Sequence, residues 1–406
     1  MTYPYGLRGA PAVGLGIPGL PIRQSSKAEQ AQRSFQVEPY ILLHATPSAT
    51  SSSTHPIVLT FTDFLKDTHD ELDLGRPSSS AGGTWTTHRL TLSEDKKLAA
   101  LLVFSSGTNP GFLALIDTKL RTVVSRIAIP SSVGSLGGVG FNVKSNVLAL
   151  NIGPSGGPFQ IRYYYLDQLL AAHGASISDL SAFKTESVVG AYTYIIEFSP
   201  DGQLLALGAG TYSGSSSTNA PPLRSVRVWP SMAVIEQASG AAARNLVDFS
   251  KDSNFFLFRD RFSDTLTSAV RQIVRDENGV PTGYGKSYGA RTSSNTRLGM
   301  QGKDLVFSDS DGMLRVERDA ASKASNSVTV DSDHCLYPAP SAEVHAISPD
   351  GRWAVGNSGG SYIFTRAAPY SEELDGDVKA MRITRTLPYS TRNGFIQMIG
   401  GLVEND

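Results

Sequence analysis

The chain has 406 residues, 40% of them hydrophobic and 18% charged, with a formal net charge of −1. That is enough apolar material for a sizeable core, and a balance this close to neutral carries no general attraction for nucleic acid or an anionic membrane, so neither is expected as a partner. A single cysteine, Cys335, excludes an internal disulfide framework, and the longest strongly apolar run, Leu98 to Phe104, is far too short for a membrane span.

Residues 1–34 form a Gly- and Pro-rich arm ending in the polar stretch Gln24 to Ser34, with Arg8, Arg23, Lys27 and Arg33 set against Glu29. Its opening lacks a basic n-region, and Pro11, Pro18 and Pro21 interrupt the apolar stretch behind it, so no secretory signal is expected. Such composition suits a disordered tail or a docking arm that orders on a neighbour. Phe35 to His44 and Ile57 to Phe61 are predicted as strands joined by a Ser/Thr-rich loop. Asp63, Asp67, His69, Asp70, Glu71 and Asp73 then crowd into eleven positions. Carboxylates this dense can hold a hard cation, but their spacing matches no ligand set, and a solvated loop is the expectation.

From Trp85 onward short apolar runs follow one another. Arg89 to Leu92, Leu98 to Phe104, Gly111 to Asp117 and Val123 to Ile129 are predicted as four successive strands. Gly138 to Phe141, Val147 to Ile152 and Gln160 to Leu166 supply the next set, followed by a helical insertion near Leu169 to Ala175. A third set ends in Ser225-Val226-Arg227-Val228-Trp229, and two of its strands are separated by the Gly/Ser-rich loop Gly210 to Asn219. Further strands are predicted at Asn245 to Phe249, Phe255 to Phe258, Ala269 to Arg275, Leu305 to Phe307 and Met313 to Glu317. Glu343 to Ile347, Trp353 to Val355 and Ser361 to Thr365 come next, then an acidic loop from Ser371 to Asp377. Two last strands are expected at Ala380 to Leu387 and Phe395 to Ile399.

One turn organises these sets. Phe198-Ser199-Pro200-Asp201-Gly202-Gln203-Leu204 returns as Ile347-Ser348-Pro349-Asp350-Gly351-Arg352-Trp353. Pro presets φ, Asp bonds its own backbone and Gly accepts positive φ, so each copy reads as a strand-turn-strand hairpin. Weaker copies are anchored at Ser93, Asn142, Ser250, Met300 and Ser390, each followed five residues later by an apolar residue. A recurrence every fifty or so residues, with several strands per unit, is the signature of propeller blades.

The turns at 199–202 and 348–351, together with Leu115-Ile116-Asp117-Thr118, resemble WD40-like repeats, and more narrowly the TolB-type and YVTN-type propeller repeats, over about residues 85–406. The chain departs from true WD40 repeats in that Pro230 follows Trp229 and no Gly-His pair opens the units. The resemblance implies a ring of four-stranded blades, more often a binding platform than an enzyme. The expected fold is therefore all-β, a seven-bladed β-propeller with an extended N-terminal arm. Residues 1–34 are the arm and 35–406 the propeller, with 35–79 and 378–406 sharing the closing blade, two strands from each end.

No catalytic, cofactor-binding or metal residue is assigned, and no cofactor is expected. Gly153-Pro154-Ser155-Gly156-Gly157 fits a nucleophile elbow, which needs a helix after it where Pro158 to Arg162 reads as strand. Gly283-Tyr284-Gly285-Lys286-Ser287 has Val280 where a phosphate-binding loop needs Gly, so a hairpin is expected. Asp309-Ser310-Asp311-Gly312 reads as a turn, and His334-Cys335 lacks a second metal pair. The Tyr163-Tyr164-Tyr165 run puts two rings on one face and one on the other, with sheet packing expected, and Trp85, Trp229 and Trp353 are expected in the core.

Function is then expected to be a non-enzymatic structural or interaction propeller in a multi-copy assembly, a phage virion tail, neck or surface protein or a cytoplasmic particle. Its partners would be other protein subunits engaged through the arm 1–34. The alternatives are a lactonase or hydrolase with its site at the central channel, and a glycan- or peptide-binding propeller marked by an aromatic patch.

Overall fold

The computed structural model describes residues 35–50, 56–78, 83–106, 108, 110–130, 132, 136–152, 159–188, 192–210, 223–239, 247–250, 252–260, 266–292, 298–301, 304–308, 313–317, 335–338, 344–349, 353–358, 361–366, 382–386 and 396–404. The arm 1–34, the Gly153–Gly157 and Asp309–Gly312 motifs, His334 and the loop Ser371–Asp377 lie outside them. Strands β1 (Phe35–Ala45), β2 (Ser48–Thr50), β3 (Val58–Asp63) and β4 (Thr68–Asp73) come first. The second set is β5 (Thr84–Leu92), β6 (Leu98–Ser105), β7 (Gly111–Asp117) and β8 (Thr122–Ile129). The third is β9 (Leu136–Asn142), β10 (Val147–Ile152), β11 (Phe159–Tyr165), the short helix α1 (Leu166–Ala171) and β12 (Lys184–Val188). The fourth runs β13 (Tyr192–Phe198), β14 (Leu204–Gly210), β15 (Leu223–Val228) and β16 (Ala233–Ser239). Then come β17 (Val247–Phe249), β18 (Phe255–Asp260), β19 (Leu266–Arg275) and β20 (Pro281–Thr292). The sixth set is β21 (Leu298–Gln301), β22 (Asp304–Ser308), β23 (Met313–Glu317) and β24 (Cys335–Pro338). Last are β25 (Val344–Ile347), β26 (Trp353–Ser358), β27 (Ser361–Arg366), β28 (Arg382–Arg385) and β29 (Ile396–Glu404).

Among the described residues these strands make seven antiparallel sheets, each set pairing in sequence order, with β2 added to the second sheet beside β5. The first sheet has the order β29-β1-β3-β4 and so joins the two ends of the chain. Inner strands of successive sheets abut, β29 on β5, then β9, β13, β17 and β21 in turn, and β25 of the seventh sheet lies on β29. Among the described residues no helix is long and apolar enough to cross a membrane.

Burial explains why the strands read as unbroken apolar runs. On β6, Ala99, Leu101 and Val103 pack into one cluster with Leu43, Leu59 and Phe61 of the first sheet. Ala100 and Leu102 point the other way, into a cluster with Leu148 and Leu150 of the third. A strand covered on both faces loses the polar half of its alternation.

The repeated turn is a small hydrogen-bonded device. In three copies the Ser hydroxyl donates to the Asp two residues on, Ser93 to Asp95 at 2.7 Å, Ser199 to Asp201 at 2.5 Å and Ser250 to Asp252 at 2.6 Å. The same Oγ accepts the backbone N–H five residues on, at 2.9 Å, in the Ser93, Ser199, Ser250 and Ser348 copies. Bonds between neighbouring turns link the second to the fifth sheets. Val143 N–H donates to Glu94, Asn142 Nδ2 to the Gly202 carbonyl and Asp201 N–H to Ser253 Oγ. Gly202 has φ +73°, and a Cβ there would lie 2.6 Å from Asn142 Oδ1, so the position requires glycine.

Four expectations need correction. Residues 68–73 form the outer strand β4, where a loop was expected. The closing sheet takes three strands from the N-terminal side and one from the C-terminal side, because β28 pairs with β27 in the seventh sheet. Strands β28 and β29, which flank the Ser390 copy, belong to different sheets, so they do not form the hairpin expected there. Finally, the helix begins at Leu166, three residues ahead of the expected insertion.

Candidate interaction surface

At the border of the third and fourth sheets, aromatic rings stack outward from the core. Tyr163 and Tyr164 are fully buried on opposite faces of β11, as the alternation predicts, and Tyr165 at its end is 49% exposed. Tyr165 is the last extended residue before α1, with φ −68° and ψ 131°, so its ring is carried past the edge of the packed region. Phe183, 41% exposed, is held opposite by its backbone N–H, which donates to the Tyr163 carbonyl at 3.0 Å. The Tyr165 and Phe183 rings stack with centroids 4.5 Å apart and planes at 22°.

Behind this pair the support is rigid. Tyr163 lies 5.1 Å from Trp229, which meets Phe198 edge-on at 5.4 Å. Lys184 Nζ sits 5.6 Å from the Trp229 ring and donates to the Pro230 carbonyl at 3.2 Å. The Tyr163 hydroxyl donates to Glu186 at 3.3 Å, and Arg227 pairs with the same carboxylate. Burial, and after it the Glu186 charge, pushes the Tyr163 phenol above its ordinary range, so it stays a neutral donor. Two exposed rings on a packed base, with a cation over that base, are what an interface hot spot is made of.

The other sequence-marked residues are engaged structurally. Asp63 is 7% exposed, accepts the Leu65 and Lys66 N–H groups, and pairs with Lys66 at 3.1 Å. Asp67 pairs with Arg385 of the seventh sheet at 3.0 Å, Asp70 with Arg121 of the second, and Asp73 accepts the Gly75 N–H. These carboxylates tie sheets and turns together. No group of three or more His, Cys, Asp or Glu able to hold a metal occurs among the described residues. Gly283–Ser287 lies within β20, part of a hairpin, as expected. Trp85, Trp229 and Trp353 are 7, 8 and 4% exposed, in the core as expected.

His44 on β1 was not marked in the sequence. It is fully buried, its Nε2 lies 3.3 Å from Thr62 Oγ1, and its Nδ1 has no partner among the described residues. Burial, and then the charge of His69, lowers its pKa to about 4. A hydroxyl beside an imidazole has the form of a nucleophile and base, but with Thr62 only 4% exposed the pair is sealed from any substrate.

No protein-family model and no curated protein matches the chain. Solved structures do. A putative 6-phosphogluconolactonase from Bacteroides uniformis aligns with a TM-score of 0.50 at 11% identity, over 89% of this chain and 100% of its own. Hsv2 of Kluyveromyces lactis gives 0.47 at 12%, covering 75% of this chain and 83% of that one. TolB of Acinetobacter baumannii gives 0.42 at 10%, covering 88% and 66%. The sheet order and the alignment at 0.50 lead to the same architecture. The fold is a β-propeller. At these identities the likeness concerns the fold alone, and the sheets are its blades.

Proposed function

We propose that this propeller is a non-enzymatic interaction module that engages a protein partner through the aromatic ladder between its third and fourth blades. The observation that carries the reading is the stacked, solvent-facing pair Tyr165 and Phe183 on the buried base of Tyr163 and Trp229. Aromatic rings enriched in this way mark the centre of protein interfaces, where they release water from both faces. A photo-crosslinking residue placed at Phe183 in the native source tests it. One discrete adduct with a protein subunit is expected, and its loss in the Tyr165→Ala variant, with the melting temperature of the propeller kept. Diffuse labelling, or an adduct indifferent to Tyr165, refutes it.

A finer form of the reading places the chain in a multi-copy particle such as a phage virion, anchored by residues 1–34. Its support is the composition of that arm. Removing residues 2–34 should leave the melting temperature of the propeller within a few degrees and abolish incorporation into the particle. Normal incorporation would end this form and leave the aromatic surface untouched.

A further inference from the structure

Arg89 lies on the inner strand β5, immediately after a bulge where its register against β6 shifts between Thr87 and Arg89. Bulges re-aim the side chain that follows. Its Nε is sealed from solvent and has no hydrogen-bond partner among the described residues. Burial lowers the guanidinium pKa, and the charge opposing that effect is Glu197. Glu197 stands on β13, the inner strand two blades further round. Between them β9 presents Gly137, Gly138 and Gly140, which put backbone and no side chain along that stretch. Arg89 and Glu197 thus stand on the first and third of three successive inner strands, with glycines on the strand between them.

The planar fork of an arginine is built for two-point contact with carboxylate or phosphate, and a donor of that fork sealed from water without an acceptor is costly. A buried donor without a partner calls for an explanation, a bound ion being one. We propose that Arg89 anchors a site, on the channel side of the β5–β9–β13 wall, for the carboxylate or phosphate group of a small ligand. Glu197 sets its selectivity. Its negative charge admits one anionic group beside Arg89 and disfavours a second, so the remainder of the ligand is neutral or cationic. This site is separate from the aromatic surface and does not depend on it.

Calorimetric titration of the full chain with inorganic phosphate and with acetate tests the site. Saturable binding of at least one anion is expected. Arg89→Gln should weaken it about tenfold or more, the loss of a charge-assisted pair, while Arg89→Lys keeps part of it. Glu197→Gln should move affinity the other way, tightening it several-fold by removing repulsion. Arg89→Met, which removes the charge and keeps the bulk, should melt no lower than the parent without anion and gain nothing from phosphate. Absence of saturable binding to the folded parent chain overturns the proposal, as does an Arg89→Gln variant that binds like the parent. An acidic peptide that binds through Arg89 where both small anions fail would overturn the small-ligand assignment.

Discussion

His44 and Glu94 each carry a charge problem that burial creates, and their signs are opposite. With its pKa lowered to about 4, His44 is neutral in the folded chain at pH values where the unfolded chain is protonated. Between about pH 6.5 and 4 the unfolded state therefore binds more protons, and stability falls as pH falls. The full window corresponds to roughly 3 kcal/mol at 1.36 kcal/mol per pH unit. Glu94 is half-buried, and its carboxyl pKa is raised, mainly by burial, against the N–H bonds that favour its charged form. Here the folded state holds the proton longer, so stability falls as pH rises above the ordinary carboxylate range. Urea unfolding of His44→Gln should show a shallower loss between pH 7 and about pH 4.5 than the parent. Glu94→Gln should remove the loss that begins above the ordinary carboxylate range and leave the chain more stable than the parent at neutral pH. A His44→Gln curve that parallels the parent would show that another group carries the acid limb.

At the scale of elements, the inner turns behave as links in a chain. Arg275, at the end of β19, donates to Asp201 at 2.5 Å, to the Ser253 carbonyl at 2.9 Å and to Gln203 at 3.0 Å, locking the fourth and fifth blades at their turns. Arg275→Ala should cost about 2–3 kcal/mol in denaturant unfolding, and Arg275→Lys should recover little, because one ammonium cannot span these acceptors. Gly140 marks a second link. A Cβ there would come within 2.5 Å of the Ile196 carbonyl, so Gly140→Ala should push β9 from β13 and cost about 1–3 kcal/mol. An unchanged midpoint for Gly140→Ala would show that the two strands separate freely.

The same scale explains what was legible in the chain. The Ser-x-Asp turns were readable because the bonds that shape each turn are local, spanning five residues or fewer. Strand β4 was not, since His69, Asp70 and Glu71 are all exposed and leave no alternation to read. An outer strand pairs on one side only, and charges along it discourage another chain from adding to the edge. Tyr165 was marked as one of three tyrosines, but its partner Phe183 lies beyond a helix and a 3-10 turn, and nothing nearby in sequence signals the stack. Arg89 and Glu197 are related only through the order of the inner strands β5, β9 and β13, a long-range fact that residue patterns do not carry.

At the scale of the whole molecule, the first blade decides cooperativity. Its inner strand β29 pairs with β1 from Phe35↔Glu404 to His44↔Ile396 and bears on both neighbours, β25 and β5. Met398 and Ile396 pack with Tyr40, Leu42, Phe64, Trp353 and Val355, while Ile399 meets the cluster shared with the second blade. Gln397 Nε2 adds a bond to the Leu90 carbonyl at 3.2 Å. One strand thus seals two blade interfaces and covers the hydrogen-bonding edge of β1. A chain ending at residue 395 should lose far more than a frayed terminus would cost, because it exposes apolar faces of the first and seventh blades together with an unpaired inner edge. The expected readout is a lower unfolding midpoint with a broadened transition and concentration-dependent association, as β1 recruits a strand from another copy. Adding a peptide of residues 396–404 in excess should restore the monomer and part of the midpoint by mass action. A truncated chain that stays monomeric with the parent's midpoint would mean that the blades stand without closure, each resting on its immediate neighbours.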